Sequence, residues 1–170
     1  YATRKMGLSY QNMGYSHYNA AFKCYEHAAL LGDVEAIFRV AECYASGMGV
    51  NVDNHMAFLY YLKAADANHV EAELAVAKCY EKGLGVTRDL NEALKWYRQA
   101  SKAGNAFAKC AVAQLYEKGK VNGKKDYDQA FYWYLDAARA GNSDAQYKMG
   151  KYIDNGWETS KYEYNSSKYW

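Results

Sequence analysis

The sequence predicts an all-α chain, a right-handed α/α superhelix (solenoid) of helix-turn-helix repeats about 36 residues long. Three observations predict it. Alanines at 36, 72, 108 and 145 recur at spacings of 36, 36 and 37, and a fixed period of this size marks a repeat architecture. Proline is absent from all 170 residues, which removes the strongest helix breaker. Apolar residues fall at helical spacing on either side of glycine-bearing turns.

With those alanines as anchors, other columns fall into register. Ala28, Ala64, Ala100 and Ala137 stand eight residues before them, Tyr25, Tyr61, Tyr97 and Tyr134 eleven before, and Ala21, Ala57, Ala93 and Ala130 fifteen before. Gly47, Gly83, Gly119 and Gly156 stand eleven after. Val40, Val76, Val112 and Met149 stand four after, and Ala41, Ala77, Ala113 and Gly150 five after. A shortened first unit begins at Ala2, with Gly7, Tyr10 and Gly14 in matching roles. The units read as 1–35, 36–71, 72–107, 108–144 and a partial 145–170, forming one solenoid domain over 1–170. Tyr1 and Trp170 fall inside predicted helices, so the chain reads as a fragment of a longer array.

The first helix of each unit is predicted from two residues before the anchor to ten after it. Ala72, Leu74, Val76, Ala77, Cys79 and Tyr80 make its apolar stripe in the third unit. A glycine turn follows, as in Gly83-Leu-Gly-Val86. The second helix starts near Asp53, Asp89 or Asp126, because an aspartate there accepts from free backbone N–H groups and suits the helix dipole. Asp89 with Glu92, and Asp126 with Gln129, have capping-box spacing. The second helix ends at Gly32, Asn68, Gly104 or Gly141, residue types that tolerate the left-handed conformation. Alanines let the helices approach closely, the tyrosines fill the space between them, and stacked neighbours complete the core.

Residues 72 to 104 carry Ala72, Val76, Ala77, Tyr80, Gly83, Gly85, Val86, Asp89, Glu92, Ala93, Trp96, Tyr97, Ala100 and Gly104. Residues 36 to 68 match with Gly47, Gly49, Val50, Asp53, Tyr60 and Tyr61. This pattern resembles the Sel1-like repeat (SLR) family, relatives of the tetratricopeptide repeat, over nearly the whole chain. The turn Gly119-Lys-Val-Asn-Gly-Lys-Lys-Asp126 departs from it, lacking the second glycine at its usual place and carrying one extra residue. The resemblance implies a non-catalytic adaptor that assembles protein complexes. Family members do so in endoplasmic-reticulum degradation, cell-wall synthesis, mitochondrial assembly and bacterial interactions with hosts.

Composition narrows the function classes. Lys and Arg number 21 against 19 Asp and Glu, no footprint for a nucleic-acid binder. The apolar runs are far shorter than the roughly 20 residues of a membrane span; the first residues do not have the pattern of a secretory signal, which in a fragment assigns no compartment. Cys43 and Cys79 share a repeat position, so they should lie about 10 Å apart, too far for a disulfide or a shared zinc. Cys24 reads as a core filler and Cys110 faces the core, so buried free thiols are expected, which favours a reducing compartment. His17, His27, His55 and His69 occupy different repeat positions and do not converge on a metal. The Gly47-Met-Gly49 and Gly83-Leu-Gly85 turns precede helices, but neither a strand nor G-K-[ST] accompanies them, so they read as structural turns rather than phosphate loops. No nucleophile with a base, catalytic pair or cofactor motif is present.

The remaining candidate is a surface. On the first helices, positions three, six and ten after the anchor are expected to be free of core duty. They are Arg39, Glu42 and Ser46; Ala75, Lys78 and Lys82; Ala111, Gln114 and Lys118; and Lys148, Lys151 and Asn155. First helices line the concave side in the related repeats, so this stripe is the candidate binding face. Its partner would be another protein: a peptide, helix or subunit, with an acidic one suited to the lysines. The alternatives are a structural spacer in a large assembly, or a regulatory segment attached to a catalytic domain outside these residues. The triplet Asn165-Ser166-Ser167 has glycosylation spacing and falls at a predicted helix start.

Overall fold

The computed structural model describes residues 2–12, 17–121 and 123–154. Among them are nine helices: α1 (Ala2–Asn12), α2 (Tyr18–Leu30), α3 (Val34–Ser46), α4 (Asn54–Asp66), α5 (Val70–Lys82), α6 (Leu90–Lys102), α7 (Ala106–Glu117), α8 (Tyr127–Arg139) and α9 (Ser143–Asp154). They form helix-turn-helix repeats of about 36 residues, the all-α repeat architecture that the period predicts. Tyr1, the side chain of Tyr10, Gly14, Asn155, Gly156 and the segment 157–170, with its Asn165-Ser166-Ser167 triplet, lie outside the described residues. The chain comprises two compact units, residues 1–96 and 97–170, which divide within α6.

In the first unit each helix packs on the next, from α1 against α2 to α4 against α5. The core joins Ala21, Tyr25 and Ala28 of α2 to Ala36, Val40 and Cys43 of α3. It continues through Phe58 and Ala64 of α4 to Ala72, Val76 and Cys79 of α5. Gly7 of α1 is buried, and a Cβ on it would lie 2.6 Å from the Tyr25 ring, so this close approach excludes a side chain. In the second unit α8 packs on α7 and α9. Ala108, Val112, Ala130, Phe131, Tyr134, Ala137, Ala145 and Met149 are all buried there. The repeated alanines and tyrosines therefore do the packing work expected of them, except that Tyr61 is only half-buried.

Caps punctuate the helices. Asp53 and Asp126 accept from the N–H groups of Met56 and Gln129 at 2.9 Å, and Asp89 accepts from Asn91 at 2.8 Å and Glu92 at 3.1 Å. The reciprocal half of the capping box is not formed. The N–H groups of Asp53, Asp89 and Asp126 donate instead to the carbonyls of Tyr44, Tyr80 and Tyr116 at 2.9, 3.0 and 3.1 Å, closing each turn. The extra residue before Asp126 leaves that closure intact. Gly32, Gly104 and Gly141 have φ of 84°, 87° and 88°, and Asn68 takes the same left-handed form at 61°. Asparagine replaces glycine there because its short polar side chain tolerates that region.

A second set of caps was legible only as a column three residues before each anchor. Asp33, His69, Asn105 and Asn142 accept from the N–H groups of Ala36, Ala72, Ala108 and Ala145 at 2.9 to 3.2 Å. The anchors are thus the positions where each first helix is stapled to its cap, as well as core alanines.

The turn glycines divide their work. Gly47 and Gly83 end α3 and α5 at φ of 75° and 73°. Gly49 and Gly85 seat the turn on the preceding repeat: a Cβ would lie 2.1 Å from the Tyr18 carbonyl oxygen or 1.9 Å from that of Asn54. Hydrogen bonds fasten the same joints, from Asn19 Nδ2 to Gly49 O at 3.1 Å and from His55 Nδ1 to Gly85 O at 2.9 Å. In the divergent turn, Lys118 ends α7 in a right-handed conformation and the left-handed step passes to Gly119, φ 67°.

Candidate functional site

The predicted stripe separates into side chains held by the fold and side chains that reach solvent. In the first unit, Arg39 is clamped on α3. Its Nε lies 2.8 Å from Glu35 Oε1 and its Nη1 2.8 Å from Glu42 Oε2, with all three side chains about a third exposed. Glu35 Oε2 accepts from His69 Nε2 at 3.1 Å, a bond that ties α3 to the cap of α5. His69 accepts at Nδ1 from Ala72, so its ring proton sits on Nε2. The ring stacks on Phe38 at 4.6 Å. Burial raises the Glu35 carboxyl, but the His69 hydrogen bond and the Arg39 charge outweigh it and hold the group below the usual carboxylate range. Arg39 and Glu42 were expected to be free of core duty; the structure shows them half-buried and ion-paired. Ser46 Oγ donates to the Glu42 carbonyl at 2.6 Å, and Ala75 is half-buried. Lys78 and Lys82 of α5 are exposed and form no ion pair among the described residues.

The second unit divides the same way. Lys148 of α9 lies 3.0 Å from both Glu117 oxygens of α7, and Tyr134 OH donates to Glu117 Oε2 at 2.7 Å. Lys148 is therefore a half-buried tie between helices. Gln114 is also half-buried, with Nε2 3.7 Å from Cys110 Sγ. Lys118 is exposed without an ion pair among the described residues, and Lys151 lies 4.9 Å from the centre of the exposed Tyr147 ring. Phe107, 67% exposed, shares the α7 face of Ala111, Gln114 and Lys118. The sequence reading missed it, although its column otherwise reads Glu35, Glu71 and Asp144, and an aromatic among acids is a visible anomaly.

The remaining groups are structural. Cys43, Cys79 and Cys110 are buried free thiols, and burial pushes all three up, Cys43 to about 11, which suppresses the nucleophilic thiolate. Cys24 is half-buried rather than a core filler, because its column, with Tyr60, Trp96 and Trp133, lies at the core edge. Of the histidines, His27 is exposed, His17 is half-buried at the start of α2, and His55 and His69 make the inter-repeat bonds described above. No helix among the described residues is long and apolar enough to cross a membrane.

Capped helix pairs, repeated alanine and tyrosine columns and glycine turns seated on the preceding repeat define an α-helical repeat protein whose accessible chemistry lies on its surface. The chain belongs to the Sel1 repeat family, which matches residues 2–33, 34–69, 70–105, 106–142 and 143–170. Such repeats generally mediate protein interactions and are generally non-catalytic. The chain is similar to a solved Sel1 repeat protein from Oxalobacter formigenes, at 29% identity and a TM-score of 0.85, covering 91% of this chain and 63% of that one. It is also similar to a protective antigen present in uropathogenic Escherichia coli strains that displays an SLR fold. There the identity is 26% and the TM-score 0.80, over 89% of this chain and 33% of that one. Helicobacter pylori cysteine rich protein B shares the fold at 24% identity and a TM-score of 0.56, covering 70% of this chain and 90% of that one. The chain thus spans less than two thirds of the length of the first two relatives. No curated protein matches it.

Proposed function

We propose that this chain is a non-catalytic scaffold that helps assemble a multiprotein complex by receiving protein segments on its first-helix faces. In the first unit the contact residues are Lys78 and Lys82 of α5. In the second they are Lys118 and Lys151, with the exposed aromatics Phe107 and Tyr147. The observation that carries this reading is the division of the stripe. Arg39 and Glu42 pair along α3 and Lys148 ties α9 to α7, whereas Lys78, Lys82 and Lys118 make no ion pair among the described residues. Exposed cations, accompanied in the second unit by the exposed rings of Phe107 and Tyr147, suit an acidic segment with apolar anchors.

The test is charge reversal in two sets, Lys78→Glu with Lys82→Glu and Lys118→Glu with Lys151→Glu, followed by quantitative affinity purification from the native cell. Loss of the same bound protein from either variant supports the face assignment. An unchanged set of bound proteins in both variants leaves the spacer role as the better reading. The greater length of the relatives makes a regulatory segment attached to further domains the other alternative.

A further inference from the structure

We propose that the divergent turn between α7 and α8 is a second docking site, built for an acidic protein segment. Lys118, Lys120, Lys124 and Lys125 fall within eight residues there. The matching segment 46–53 has no cation, and 82–89 has Lys82 and Arg88, of which Arg88 already donates to the Glu81 carbonyl at 3.0 Å. Residues 97–170 carry twelve Lys and Arg against eight Asp and Glu. Several of those cations are engaged elsewhere: Lys109 with Asp136 at 2.9 Å, Lys148 with Glu117 at 3.0 Å, and Arg98 with the Tyr116 hydroxyl. The four turn lysines form no ion pair among the described residues, so surplus positive charge collects on this turn.

The turn also has a shape to go with its charge. Beside it opens a cavity of about 500 Å³, with Tyr116, Val121 and Tyr127 as its apolar wall and Lys124 and Lys125 as cations lining it. Two carboxylates, Asp126 and Asp128, also line it; Asp126 is occupied in capping α8. A side chain from a partner can enter the cavity while carboxylates on either side of it meet the lysines. Tyr116 and Val121 are buried and Tyr127 alone of this wall is exposed, too little apolar surface to serve as a bilayer anchor. The two aspartates oppose a continuous phosphate backbone more than a segment whose carboxylates are spaced. Lys118 also belongs to the first-helix face and is left unchanged in the test.

The test titrates the full 170-residue chain against a fluorescent peptide of alternating Asp and Glu with one central Phe, read by anisotropy. Lys124→Glu with Lys125→Glu should weaken binding roughly tenfold or more, and added salt should weaken wild-type binding. Circular dichroism checks the fold. Should the double Glu variant unfold, Lys124→Gln with Lys125→Gln carries the test, with a loss of about threefold expected. Lys63→Glu with Lys102→Glu, exposed lysines on second helices outside both proposed sites, should leave the affinity unchanged. No peptide binding, or equal affinity in the folded turn variants, would overturn the proposal. Tighter binding to phosphatidylserine vesicles or to a single-stranded oligonucleotide would overturn the partner class. An equal loss of binding in the Lys63/Lys102 variant would show attraction to any exposed cation and overturn this site while leaving the scaffold reading standing.

Discussion

Gly85→Ala tests how consecutive repeats are joined. Its φ is +72°, and the added Cβ would lie 1.9 Å from the Asn54 carbonyl oxygen and 2.4 Å from its carbon. Ordinary carbon–oxygen contacts are about 3.3 Å or longer, so the turn must retreat by roughly 1.4 Å. Both sides of the clash are backbone, and no rotamer change relieves it. The retreat stretches the 2.9 Å bond from His55 Nδ1 to Gly85 O beyond hydrogen-bonding range. Left-handed strain for alanine costs about 1 kcal/mol, the lost hydrogen bond about 1 kcal/mol, and the imposed backbone shift about 1–3 kcal/mol. The expected total is about 4 kcal/mol.

Gly32→Ala is the control in the same unit. Gly32 has φ +84° with nothing within 4 Å of the added Cβ, so only the conformational cost of about 1 kcal/mol applies. Urea unfolding followed by far-ultraviolet circular dichroism measures both. With a slope of about 2 kcal/mol per molar, the two midpoints should differ by about 1.5 M. Equal losses would mean that the turn is not seated on Asn54 and that the second glycine is not a joint between repeats.

Further outcomes follow from the caps and the titrating groups. His69→Ala should cost about 2–3 kcal/mol, about 1 from the α5 cap and the rest from the Glu35 hydrogen bond and the Phe38 stack, and His69→Asn, which restores an acceptor for the Ala72 N–H, should recover only the cap part in thermal unfolding. Burial pushes the Tyr25 phenol up to about 12 and raises Tyr61, Tyr134 and Tyr152 as well. A raised folded pKa gives stability that is complete below the ordinary value of about 10 and is lost as pH rises through the folded value. Tyr134→Phe should therefore flatten the alkaline limb of a pH–stability curve, and phenolate absorbance should rise together with unfolding. Glu35 has the opposite sign: its lowered pKa gives stability above about pH 4.3 that is lost as pH falls through the folded value. Glu35→Gln should make acid unfolding less steep in that window; an unchanged acid limb would show that the Arg39 and His69 pairs contribute nothing to folding.

Fold class, helix boundaries and much of the punctuation were legible because they depend on local chemistry repeated in register. An alanine column at a spacing of 36 and the left-handed role of Asn68 follow from the residue and its neighbours in sequence. The first-helix caps were equally local and readable: Asp33, Asn105 and Asn142 are ordinary cap residues in one column, and only His69 disguised it. The stripe was legible as a set of helix positions. The acids flanking Arg39 four residues before and three after are local and were readable, whereas Lys148 and Lys151 have the same claim to a binding face by spacing and only the distant Glu117 separates them.

The sequence alone determined that this chain is a series of capped helix pairs of one family, because period, caps and turn residues act within a few residues of one another. Tertiary structure decided which polar side chains are spent inside the fold. The pairing of Lys148 with Glu117 spans 31 residues, and that of His69 with Glu35 spans 34. It also gave Gly49 and Gly85 their purpose, since the carbonyls they touch lie on the preceding repeat, 31 residues away. Coulomb attraction and steric exclusion depend on separation in space, and stacking is what brings residues one repeat apart into contact.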